Sequence, residues 1–122
     1  MTLVVLVVDD SLSMRHVIST TLISAGYKVH EAENGLEALK VLENTKVNIV
    51  ISDVNMPKMD GISLVKAIKR ISTYKFLPII MLTTETNKAK IEEGKAAGAK
   101  AWMVKPFNPE QLLRSVSILI GK

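Results

Sequence analysis

The sequence predicts an α/β protein: a (βα)5 chain forming a doubly wound, parallel five-stranded sheet with helices on both faces. Three observations predict it. Short apolar runs recur at even intervals, and each is followed by a stretch of helical periodicity. The connections are too long for hairpins, so right-handed crossovers make neighbouring strands parallel. With 122 residues, 48% of them apolar, residues 1–122 are expected to form one globular domain around one sheet.

The elements follow in order. β1 is read at 3–8 (LVVLVV), a run with no polar face, as suits a strand buried on both sides. In α1, Met14, Val17, Ile18, Thr21, Leu22 and Ala25 recur at 3.6-residue spacing, and Gly26 ends the helix. β2 at 28–32 (KVHEA) is the polar exception and reads as an edge strand. Leu36, Leu39, Val41 and Leu42 mark α2, and β3 is read at 48–52 (NIVIS). Ile62, Leu64, Val65, Ile68 and Ile71 mark α3, before β4 at 78–82 (PIIML). α4, at 87–97, is weakly marked: Ile91 is its one large apolar residue, and Gly94 lies inside it. β5 is 101–104 (AWMV). α5 opens on Asn108 as N-cap with Pro109 in its first turn, and Leu112, Leu113, Val116, Leu119 and Ile120 form its apolar face.

Composition excludes several classes of function. No apolar run approaches the roughly 20 residues of a membrane helix. No secretory signal opens the chain, and there is no cysteine, which excludes disulfides and thiolate metal sites and fits a cytoplasmic protein. The net charge of +4 could attract nucleic acid or an acidic partner. The lysines are scattered, however, and at 4% aromatic residues are too few for a base-stacking platform. Neither a membrane nor nucleic acid is expected as a partner.

The polar residues that end the strands carry the chemistry, because ligands of such sheets bind outside the carboxyl ends of the strands. β1 runs into Asp9 and Asp10, β3 into Asp53, β4 into Thr83 and Thr84, and β5 into Lys105. Any one of these alone would pass as a cap, a turn or a surface residue. Together they place three acids, a hydroxyl and an amine on one rim. Two carboxylates ~4 Å apart repel by about 4 kcal/mol at an effective dielectric near 20. Three must protonate, pair with cations or bind metal. Lys105 supplies one positive charge; the remaining double negative charge matches one Mg²⁺, which oxygen-only ligands favour over Zn²⁺. Magnesium commonly shares its site with phosphate. Asp53, the lone carboxylate opposite the pair, is then the candidate phosphoacceptor. Asp9 and Asp10 hold the metal with a backbone carbonyl near Asn55, while Lys105 and Thr83 contact phosphoryl oxygens. Pro106 makes a cis Lys105–Pro106 bond accessible.

These residues lie in segments that resemble a known family. VVDDSLSMR, ISDVNMPKMDG, MLTTE and VKPF resemble the four signatures of response-regulator receiver domains of two-component signalling, in order and across essentially the whole chain. The likeness is greatest to stand-alone chemotaxis receivers of the CheY type. It implies the flavodoxin-like strand order 2-1-3-4-5. It also implies Asp53 as phosphoacceptor, Asp9 and Asp10 as metal acids, Asn55 as carbonyl ligand, Thr83 as switch hydroxyl and Lys105 as phosphate-contacting amine. Trp102 stands where the family often has a switch Tyr or Phe and is read as the switch aromatic, with packing on β5 as the alternative; its bulk and single N–H donor suggest an incomplete inward swing. Asn55 and Glu85 occupy positions that tune phosphoryl lifetime in the family, and their identities suggest a short-lived signal.

The resemblance implies a phosphorylation-driven switch that catalyses its own phosphorylation and dephosphorylation without being a conventional enzyme. Its phosphodonor would be a CheA-like sensor histidine kinase. Its target, such as the flagellar motor switch, would dock on the α4–β5–α5 face, and a phosphatase is a further expected partner. Alternatives are a phosphorelay intermediate, a phosphate sink, or a receiver excised from a larger regulator, although the opening Met and the stop after α5 favour a stand-alone protein. An aspartate-nucleophile phosphatase has a similar residue set but in reversed order, with Asn55 in place of its general acid. A flavodoxin is disfavoured because Asp9 and Asp10 would repel the FMN phosphate. His16 and His30 lack ligand spacing and read as surface residues, and Gly94-x-x-x-Gly98 is no phosphate loop.

Overall fold

The computed structural model describes residues 2–121. Five strands, β1 (Val4–Val8), β2 (Lys28–Ala32), β3 (Ile49–Ser52), β4 (Ile79–Thr83) and β5 (Ala101–Val104), alternate with five helices, α1 (Leu12–Ser24), α2 (Gly35–Asn44), α3 (Gly61–Lys69), α4 (Lys88–Ala97) and α5 (Pro109–Leu119). A 3₁₀ turn at Ser72–Tyr74, which periodicity does not mark, joins α3 to β4. All strand pairs are parallel and the order is β2-β1-β3-β4-β5, the flavodoxin-like arrangement. The polar β2 lies at an edge, as its pattern predicts.

Strand alternation divides the core into two layers. Leu6 and Val8 of β1, Val50 of β3, and Ile79 and Met81 of β4 pack with Ala38 and Leu42 of α2 and with Leu64, Val65 and Ile68 of α3. Val5 and Val7, Ile49 and Ile51, Ile80 and Leu82, and Met103 face the other way, onto Ile18 and Leu22 of α1 and Leu112 and Val116 of α5. The central strands are apolar on both faces because both are covered.

Each helix begins on a polar side chain that accepts the N–H three residues on: Ser11 from Met14, Asn34 from Glu37, Asp60 from Ser63, Asn87 from Lys90 and Asn108 from Gln111. Such caps are worth about 1 kcal/mol each and fix where the loops end. Because these loops leave the carboxyl ends of the strands, the caps also fix the site's walls.

Some positions differ from the periodic reading. Val17 of α1 is 50% exposed and Ala25 is an exposed C-cap; Ser19 is buried instead, because its hydroxyl has a partner inside. Leu36 is exposed, while Gly35 and Ala38 are buried, Gly35 directly against the Met59 side chain. On α5 Leu112 and Val116 are fully buried, and Leu113, Leu119 and Ile120 only partly. Thr83 belongs to β4 rather than to the loop after it, and Thr84 is exposed outside the rim.

Candidate functional site

The sheet ladder runs one residue past the apolar strands. The Asp9 N–H donates to the Ala32 carbonyl (3.1 Å), Asp53 N–H to the Val8 carbonyl (2.9 Å) and Lys105 N–H to the Thr83 carbonyl (2.9 Å). Their backbones are thus as fixed as the strands. Asp9 keeps step with Val5 and Val7, Asp53 with Ile49 and Ile51, and Lys105 with Met103, so alternation sends all three side chains toward the α1–α5 side. There the carboxylate oxygens of Asp9, Asp10 and Asp53 lie within 4.8 Å of one another.

The Lys105 ammonium bridges two of these acids, donating to Asp9 Oδ2 at 2.7 Å and Asp53 Oδ2 at 3.0 Å. The remaining oxygens face the backbone. Asp9 Oδ1 accepts the Ser11 N–H at 2.9 Å, and Asp53 Oδ1 accepts those of Val54 at 2.6 Å and Asn55 at 3.4 Å. Asp10 is exposed, and among the described residues it has no hydrogen bond or ion pair. Burial is the largest influence on Lys105 and pushes its pKa down. The hydrogen bonds and charges of Asp9 and Asp53 together outweigh it and hold the ammonium above the ordinary lysine value. The pocket is therefore a cation bound by two carboxylates, with a third carboxylate uncompensated beside it. An oxygen-only, net-negative donor set of this kind fits Mg²⁺.

Several supporting residues carry no role in the sequence reading. Arg15 reaches back from the first turn of α1: Nη1 donates to the Asp9 carbonyl at 2.7 Å, and Nε to Glu31 Oε1 at 3.1 Å. The buried Ser19 hydroxyl donates to Glu31 Oε2 at 3.0 Å. Glu31, an edge-strand acid by pattern, thus clamps the arginine that braces the acid pair's backbone. Gly61 is dictated by contact: a β-carbon there would lie 2.0 Å from the Asp53 carbonyl oxygen. Its N–H donates to the Val54 carbonyl at 2.8 Å, closing the loop that follows Asp53. Lys58 within that loop has φ 67°, a left-handed conformation. The Arg and Gly lie inside two of the matched segments, yet spacing alone gives them no partner.

On the other side of the sheet lies a second group. Thr83 keeps step with Ile79 and Met81, and Trp102 packs in that same layer. Thr83 Oγ1 accepts the Glu85 N–H at 3.1 Å, and Trp102 Nε1 donates to the Glu85 carbonyl at 3.2 Å. The Glu85 carboxylate accepts from Asn87 N–H at 3.1 Å and, more weakly, from Asn55 Nδ2 at 3.5 Å, with Lys90 Nζ at 3.4 Å. The Asn87 N–H chiefly, opposed by desolvation and aided by Lys90 and Asn55, holds its pKa below the usual carboxylate value. Gly94 explains how a weak α4 can sit on β5: a β-carbon there would meet Trp102 Cζ3 at 2.8 Å.

The strand-end residues thus fall into two sets. Asp9, Asp10, Asp53 and Lys105 are brought together, whereas the Thr83 hydroxyl is held by Glu85. The Asn55 side chain turns to Glu85. The Lys105–Pro106 bond is cis. His16 and His30 are not part of the acidic cluster.

Comparison with known proteins agrees with this geometry. Residues 5–117 match the response regulator receiver domain family. The chain is 44% identical over 118 residues to the chemotaxis protein CheY1 of Helicobacter pylori strain 26695, covering 95% of each. It is 43% identical to the CheY homologue of Campylobacter jejuni, covering 95% of this chain and 91% of that one. Among solved structures, Vibrio cholerae chemotaxis response regulator CheY4 shares 51% identity at a TM-score of 0.91, covering 98% of this chain and 99% of that one. The receiver domain of a Pseudomonas aeruginosa sensor histidine kinase has a magnesium ion coordinated in its active-site cleft. It aligns over 100% of both chains at 28% identity and a TM-score of 0.91. The acid-rimmed parallel sheet, the matched segments and this coverage together make the chain a member of the response regulator receiver domain family, homologous to the CheY chemotaxis proteins.

Proposed function

We propose that the chain is a CheY-like switch that takes a phosphoryl group onto Asp53 from the phosphohistidine of a CheA-like kinase. The observation that carries this reading is Lys105 bridging Asp9 and Asp53 inside a three-carboxylate pocket. Asp53 Oδ1 is tied to the backbone N–H groups of Val54 and Asn55, which leaves Oδ2, held by the Lys105 ammonium alone, as the attacking oxygen. An Oδ2–P bond forms, the donor's N–P bond breaks, and the electron pair leaves on the imidazole nitrogen, which recovers its proton from solvent. Lys105 already touches Oδ2 and follows the charge onto the phosphoryl oxygens. Asp9, Asp10, Asp53 and the Asn55 carbonyl would hold Mg²⁺, which when bound neutralises charge on the transferring group. Hydrolysis by water at phosphorus returns the carboxylate and inorganic phosphate, and Asn55 and Glu85 at the mouth tune its rate.

The added charge recruits the Thr83 hydroxyl as a donor, releases the Glu85 amide and frees Trp102, rearranging the α4–β5–α5 face for a chemotaxis target such as the flagellar motor switch. Over residues 1–122 the chain acts as one receiver. The test is incubation with acetyl phosphate and Mg²⁺ followed by intact-mass measurement. A gain of one phosphoryl is expected, lost in Asp53→Ala and when Mg²⁺ is chelated. No gain, or a gain that persists in Asp53→Ala, refutes the assignment. A pull-down with the phosphorylated chain separates a motor target from a relay or sink role, in which another receiver or a kinase is retained instead.

A further inference from the structure

A second cleft, walled by lysines and apolar surface, lies at the opposite end of the sheet, where β4 and β5 begin. The cleft, of about 320 Å³, is lined by Lys69, Lys75, Phe76, Ala97, Gly98 and Lys100. Its walls come from separate elements: the last residue of α3, the loop entering β4, the end of α4 and the residue before β5. The volume falls at the small end of the range for ligand sites, about 300–1,000 Å³. Among the described residues no carboxylate forms an ion pair with any of the three lysines.

We propose that this cleft binds a small phosphate compound carrying two or more negative charges. Three lysines from separate elements line a space to which no acid contributes, and lysine recognises phosphate as a point charge. Lys69 is fixed in place: its ammonium donates to the Leu77 carbonyl and its stem lies along Gly98, where an added β-carbon would meet Cε at 3.0 Å. Gly98, at φ 123°, therefore keeps the wall open. Burial, and after it the nearby Lys100 ammonium, lowers the Lys69 pKa, so two of the positive charges lie close enough to repel. Phe76 stands at the rim, 87% exposed, with the Lys75 ammonium 5.9 Å from its ring centroid. An exposed ring beside a cationic cleft also offers a stacking surface for a nucleobase.

The test is an amide-shift NMR titration of the full chain with pyrophosphate, ADP and sulfate at matched ionic strength. A chelator is present, so that no divalent ion brings phosphate to the acidic rim. Saturable shifts at Phe76, Gly98 and Lys100 are expected with pyrophosphate and ADP, weakened roughly tenfold in Lys75→Gln/Lys100→Gln. Tighter binding of ADP than of pyrophosphate assigns the base to Phe76; equal binding assigns the phosphates alone, and both support the site. Lys75→Gln alone, on an exposed loop, provides a milder variant should the double one fold poorly. Shifts absent at these amides, equal saturation by sulfate, insensitivity to the substitutions, or shifts confined to the Asp53 rim would overturn the proposal.

Discussion

Asp10→Asn is expected to make the protein more stable without magnesium and nearly indifferent to it. The carboxylates of Asp9, Asp10 and Asp53 lie within 4.8 Å of each other, and one lysine serves the other two. Asp9, Asp53 and Lys105 together carry one net negative charge, which Asp10 faces. At that spacing two unit charges repel by about 0.9 kcal/mol in water and about 3.5 kcal/mol at an effective dielectric near 20. Asp10 is exposed, so the lower figure governs and relief of about 1 kcal/mol is expected. For a domain of this size that is a rise of roughly 3–5 °C in Tm. Magnesium at a hundredfold excess over its Kd should stabilise the wild-type chain by about 2.7 kcal/mol, and the variant should lose most of that gain. Urea titrations in chelator and in Mg²⁺, on both proteins, measure all four quantities. A variant less stable than wild type in chelator, or one that keeps the full magnesium gain, would refute the electrostatic argument.

Three further outcomes follow. Lys105 has a raised pKa, so its stabilisation is fully present below the unfolded-chain lysine value of about 10.4 and is lost as pH rises through the higher folded value. Urea midpoints from about pH 9 upward should therefore fall more steeply in wild type than in Lys105→Met, and parallel curves would contradict this. Gly94→Ala should displace the indole and cost about 1–3 kcal/mol, since its β-carbon meets Trp102 Cζ3 at 2.8 Å. Because Trp102 is the only tryptophan, its emission maximum checks this directly, and an unmoved maximum with unchanged stability counts against it. Gly61→Ala drives a methyl group to 2.0 Å from the Asp53 carbonyl oxygen, so backbone must shift. A loss of about 3 kcal/mol or more in urea, with slower phosphorylation from acetyl phosphate, is expected, and a variant that keeps wild-type values in both would show the loop adapts freely.

The rim was legible because a parallel sheet converts chain order into position. A residue that follows an apolar run must arrive at the carboxyl edge, so Asp9, Asp53 and Lys105 could be placed from pattern alone. Alternation then sets their common face, which the Lys105 hydrogen bonds bear out. Contacts between elements left no such trace. Arg15 bracing the Asp9 carbonyl, and Glu31 clamping Arg15, depend on how α1 lies over β2. Gly61 and Gly94 look like ordinary helix glycines until their neighbours are known. Periodicity gave the apolar stripe of α1 but not its width, so Val17 looked buried while Ser19, with Glu31 as partner, took the inner place.

One residue links the two halves of the proposed response. Glu85 offers its N–H to Thr83 and its carbonyl to Trp102. Both tethers thus meet on one residue, and a shift of the Glu85 backbone would be felt by the hydroxyl and the indole together, so that the proposed surface would store one bit rather than two. With each tether worth about 1 kcal/mol, the proposed switch would place an arrangement lacking both at a few per cent of molecules before phosphorylation. On the proposed reading such a device would have a built-in idle speed, and removing either tether would raise it.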